Sequence, residues 1–78
     1  MKVGDLVMFK HNNPTYSKWF GGELGIVISY TAKAPDGHAH CRVQWVRPVK
    51  YFKSWTTSSD FKADNYEVVN ESRRFSNL

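Results

Sequence analysis

The sequence predicts a small all-β domain, and three observations predict it. Helical periodicity is nearly absent along the 78 residues. Short β-branched and aromatic runs recur instead, separated by turn residues. One separator, Ala34-Pro35-Asp36-Gly37, carries a turn chemistry of its own, because proline presets φ and glycine accepts φ > 0. Five such runs with a long loop after the first predict a single five-stranded barrel over residues 1–70, followed by a polar tail, 71–78.

The first run is Lys2 to Lys10, with Gly4-Asp5 marking a bend inside it. Parity makes Val3, Val7 and Phe9 its core candidates. A polar stretch, His11 to Ser17, holds Asn13-Pro14 as a turn signal and leads into Trp19-Phe20-Gly21-Gly22. The second strand is Leu24 to Thr31, and its faces are ambiguous. Either Ile26 and Ile28 point inward, or Val27 does and Ile26, Ile28 and Tyr30 form an exposed apolar row of the kind that marks interfaces. The third strand, His40 to Val46, places Cys41, Val43 and Trp45 on one face, the core face. Pro48 then predicts a turn at Arg47-Pro48. A fourth strand over Val49 to Thr56 follows, and Thr57-Ser58-Ser59-Asp60 supplies capping oxygens for a short helical or 3₁₀ turn over Ser59 to Ala63. Tyr66 to Asn70 is the fifth strand, expected to pair with the first and so remove the free edges.

Size limits how such a domain is held together. One cysteine excludes an internal disulfide, so stability rests on burying the large side chains, twelve of which are aromatic. No apolar run reaches the roughly 18–20 residues of a membrane span. Met1-Lys2-Val3-Gly4-Asp5 shows no apolar signal region, and with the lone cysteine this predicts a reducing, intracellular setting. The net charge of +4 is polarised. No acid stands between Asp36 and Asp60, where Arg42, Arg47, Lys50 and Lys53 fall, whereas Asp60, Asp64, Glu67 and Glu71 make the closing segment acidic.

Val3-Gly4-Asp5-Leu6-Val7, Gly25-Ile26-Val27, Val43-Gln44-Trp45 and Asn65-Tyr66-Glu67-Val68-Val69 together resemble the SH3-like small β-barrel in its KOW and Tudor form. Residues 1–7 and 67–73 are also similar to the ends of small proteins encoded by tailed bacteriophages, notably those of marine cyanobacteria. The resemblance implies a lone barrel of phage origin, in the host cytoplasm or the virion. It does not imply an activity, because this fold hosts many tasks. The strand motif and acidic loop of proline-reading signalling domains are missing.

Metal binding and catalysis have little support. His38, His40 and Cys41 stand close in sequence, but alternation sends Cys41 to the core and His40 to solvent. A structural zinc needs four ligands, and a cysteine nucleophile needs an exposed thiolate beside a base. No metal, no cofactor and no catalytic residue is therefore assigned.

Two binding readings stay open. Tyr16, Lys18, Trp19 and Phe20 in the long loop, with Tyr51 and Trp55 of the fourth strand, have the composition of a protein-binding surface. Trp19 is either an interface anchor or a lid over the core. Arg42, Arg47, Lys50 and Lys53, interleaved with aromatics, have the composition of a nucleic-acid surface. A protein partner, either a phage structural protein or a host protein, is the preferred expectation, with nucleic acid the alternative.

Overall fold

The computed structural model describes residues 1–69 of the chain. Five strands and two short helical turns follow one another: β1 Leu6–Phe9, α1 Ser17–Phe20, β2 Leu24–Thr31, β3 His40–Tyr51, β4 Ser54–Lys62, a 3₁₀ turn Ala63–Asn65, and β5 Tyr66–Val68. All strand pairings are antiparallel, in the order β4-β3-β2-β1-β5. The first and last strands do pair, Val7 opposite Val68 and Phe9 opposite Tyr66. Edges nevertheless remain at β4 and β5, contrary to the expectation that this pairing removes them.

The first strand is shorter than its apolar run. Gly4 takes φ 96°, a left-handed conformation that turns the chain. Asp5 secures the bend by accepting from the Lys2 main-chain N–H at 2.9 Å and from Lys2 Nζ at 3.2 Å. That bend breaks the parity that groups Val3 with Val7 and Phe9. Val7 and Phe9 are fully buried and Val3 is exposed, which corrects its assignment to the core.

In β2 the ambiguity resolves towards Val27, which is fully buried and opposite buried Val43. Ile26 and Ile28 face outward and are exposed. Tyr30 is exposed as well, as anticipated, but a bulge between Val27 and Ser29 pairs it with Cys41 and takes it off the side that Ile26 occupies, so the three do not form one continuous row. Gly25 lets β2 and β3 close up: a Cβ there would stand 3.1 Å from the Gln44 carbonyl oxygen and 3.2 Å from the Trp45 ring.

The largest departure lies in β3. Pro48 does not end the strand. It is absorbed where the β3–β4 register shifts between Gln44 and Val49, the kind of irregularity in which a ladder tolerates a missing N–H. The chain turns instead at Phe52-Lys53, with Tyr51 opposite Ser54. The expected fourth strand, Val49 to Thr56, therefore straddles a hairpin, and Thr57 to Asp60 are strand rather than cap. The 3₁₀ turn comes later than predicted, at Ala63–Asn65. The fifth strand covers Tyr66–Val68, and Asn70 with the tail lies outside the described residues.

Between β1, β3, β4, β5 and α1 sits an aromatic core. Phe9 is its hub, with ring centroids 5.1 Å from Phe61, 5.5 Å from Tyr66, 5.8 Å from Phe20 and 6.5 Å from Trp45. Phe20 stacks on Trp45 at 5.2 Å, and the indole N–H of Trp45 donates to Ser59 Oγ at 3.0 Å. Full burial stabilises the fold by about 1.5–3 kcal/mol for each large apolar side chain, which is how so short a chain folds with its cysteine unpaired.

Candidate functional site

The site begins with a polar side chain that shapes the long loop. Asn13 Oδ1 accepts the main-chain N–H groups of Thr15 and Tyr16, both at 2.9 Å, and so starts the turn that becomes α1. Its Nδ2 donates to Asn65 Oδ1 at 2.9 Å, fastening the loop to the 3₁₀ turn. Gly21 N–H closes α1 on the Ser17 carbonyl at 2.8 Å, and Gly22 N–H returns the chain to Phe9 O at 2.8 Å. Tyr16, Lys18 and Trp19 are thereby held beside the β3–β4 hairpin.

At that hairpin the rings converge. Trp19 lies 4.8 Å from Tyr51 and 4.7 Å from Phe52, and Tyr51 lies 4.5 Å from Phe52. Tyr16 adds contacts to Phe61 at 5.0 Å and Tyr51 at 6.1 Å. Lys18 Nζ sits 4.4 Å above the Trp19 ring, in cation–π range. Burial holds the Tyr51 phenol above its ordinary pKa, and the nearby Tyr16 hydroxyl adds to the effect. Behind these rings opens a cavity of about 280 Å³, lined by Tyr16, Phe20, Tyr51, Thr56, Ser59, Asp60 and Phe61. Its walls are aromatic rings and hydroxyls, with Asp60 at one side. By strand alternation the Asp60 carboxylate points away from Phe61, towards Arg42 at 3.8 Å and His40 at 3.7 Å.

Phe52 is the residue that sequence reasoning missed. It is 65% exposed and adopts φ 55°, a left-handed conformation costly for any residue but glycine and favoured otherwise only by Asn and Asp. A two-residue hairpin loop normally places Gly or Asn there. Phe52-Lys53 carries neither, so nothing in the sequence marks the turn and Phe52 has the look of one more strand residue.

Of the six side chains expected to bind protein, four are brought together: Tyr16, Lys18, Trp19 and Tyr51. Phe20 is 2% exposed and belongs to the core, where it anchors the loop rather than meeting a partner. Trp55 is exposed but lies on the opposite side of the hairpin from Tyr51, opposite Lys50 in register and 5.8 Å from its Nζ. Trp19 is half-buried, with core on one side and Phe52 on the other, so anchor and lid are not exclusive.

The basic set is less gathered. Arg42 faces Asp60 across the strands, and Arg47 borders a separate cavity of about 100 Å³ with Glu23 and Val46. Lys50 accompanies Trp55, and Lys53 sits in the turn beside Phe52.

His40 and Cys41 separate as alternation requires. His40 Nε2 meets Asp36 Oδ2 at 2.8 Å, which fastens the β2–β3 loop. Cys41 is buried, and burial first, with Asp60 second, pushes its thiol up to about 11. A thiol so placed is a poor nucleophile near neutrality. Among the described residues, no three His, Cys, Asp or Glu side chains are grouped to hold a metal ion, and no helix is long and apolar enough to cross a membrane. Comparison of the chain with protein-family models, curated proteins and solved structures finds no match.

Proposed function

We propose that the chain is a non-catalytic protein-binding module on an SH3-like barrel, with Tyr16, Trp19, Tyr51 and Phe52 as its contact surface. The observation that carries this reading is Phe52: an aromatic ring kept in solvent, at a backbone conformation that glycine would adopt without strain. Strain of this kind concentrates at functional positions. Exposed aromatic rings, already packed and so low in entropy to fix, are favoured anchors for a protein partner. The barrel assignment draws support from β1 lying between β2 and β5, from the long loop after β1, and from the 3₁₀ turn before β5. A phage origin, as a virion component or a binder of a host protein, rests on the likeness of residues 1–7 and 67–73 alone.

Nucleic-acid binding through Arg42, Arg47, Lys50 and Lys53 is the alternative, favoured by Lys50 beside exposed Trp55. One experiment separates the two. The immobilised chain and its Phe52→Gly variant are compared for capture from nuclease-treated lysate and for binding a generic DNA duplex at low salt. Protein capture that is lost in the variant supports the proposal. Duplex binding that weakens steeply with salt and ignores Phe52 supports the alternative.

A further inference from the structure

The β4 strand presents an open edge beside the aromatic site. It runs nine residues, Ser54–Lys62, and pairs with β3 alone. Among the described residues, its main chain has two further partners, both side chains: Thr56 Oγ1 on Ser58 O, and Asn65 Nδ2 on Lys62 O. Exposed edges are usually blunted by charge, by proline or by brevity. From Ser54 to Ser59 this edge carries neither charge nor proline, while β5, the opposite edge, has only three residues. Thr56, Ser59, Asp60 and Phe61 of the same strand also line the 280 Å³ cavity, so edge and cavity adjoin.

Charge selects the occupant. Lys18 lies over Trp19, and Lys53 follows Phe52 in the turn. Asp60, the acid at the cavity, faces Arg42 at 3.8 Å, so the lysines at the rim are left to meet a partner's carboxylates. We infer that the partner contributes an acidic, extended segment that adds to β4 as a further strand and seats one apolar side chain in the aromatic cavity. Main-chain hydrogen bonds to the edge hold it, alternate side chains reach the cavity, and the lysines draw in its carboxylates. This rests on the aromatic surface being the binding site, and goes beyond it in fixing the partner's conformation and charge.

The test is a selection of random short peptides against the whole chain, followed by hydrogen exchange on the complex. The inference expects enriched peptides with Asp or Glu around one apolar residue, slowed exchange of β4 amides between Ser54 and Asp60, and binding that weakens as salt rises. Methylating a peptide backbone N–H that faces β4 should weaken binding about tenfold, since one buried hydrogen bond is lost, and leaves the protein untouched. Peptides that need Phe52 but leave β4 amides unprotected and tolerate N-methylation would overturn strand addition while sparing the aromatic site. Failure to enrich any Phe52-dependent peptide would overturn both.

Discussion

Trp19 and Phe52 meet with ring centroids 4.7 Å apart, joining a one-turn helix in a loop to the tip of a hairpin. Neither ring is fully buried, and Trp19 packs on the core with its other side. Trp19→Ala should therefore leave a folded protein, with a stability loss of about 1–3 kcal/mol from a half-buried ring. Binding should fall by far more than that loss explains. Thermal melts beside capture assays check both, and a variant that does not fold would show that Trp19 is needed as a core lid.

Asn13 is the positioning residue for that surface. Asn13→Ala removes the acceptor for two loop N–H groups and the bond to Asn65. The expected cost is about 1–2 kcal/mol, as for a lost helix cap. Hydrogen exchange should accelerate at the amides of residues 16–21 and leave those of β3 unchanged.

Tyr66 buries a hydroxyl that has no hydrogen-bond partner among the described residues. Removing an unsatisfied buried polar group while keeping its ring is neutral or stabilising, so Tyr66→Phe should match or exceed the parent by up to about 1 kcal/mol. Urea titration measures it. An appreciable loss would mean that the hydroxyl has a partner.

Alkaline pH should weaken the fold through two buried acids. Burial raises both the Cys41 thiol, to about 11, and the Tyr66 phenol. Each stays protonated in the folded state while the unfolded chain releases its proton more readily. Their stability contribution is thus complete below the unfolded pKa and declines as pH rises, for Cys41 between about 9 and 11. Cys41→Ala should flatten this first part of the decline. A thiol reagent at neutral pH should modify Cys41 only as fast as the chain opens.

Much of this was legible in the residues. Val7, Phe9, Cys41, Val43 and Trp45 follow simple alternation and are core. The Pro35-Asp36-Gly37 turn forms as its chemistry dictates, with Gly37 at φ 84°. What alternation cannot foresee is a register irregularity. The β2 bulge moved Tyr30 away from Ile26, and the β3 irregularity absorbed Pro48, so the strongest breaker in the segment misplaced the hairpin. The loop aromatics announced a surface, but tertiary packing divided them, drawing Phe20 inward. Phe52 was hidden because its turn lacks the residues that normally mark one.

Phe52→Gly tests the central claim most directly, because it separates folding from binding at one position. Glycine relaxes φ 55° at a gain of about 1 kcal/mol, against which stand the lost ring contacts and the greater freedom of glycine in the unfolded chain. The melting temperature should stay close to the parent's, with protein capture reduced at least about tenfold, the effect of removing an interface anchor. A variant that melts as the parent does and still captures the same proteins would contradict it.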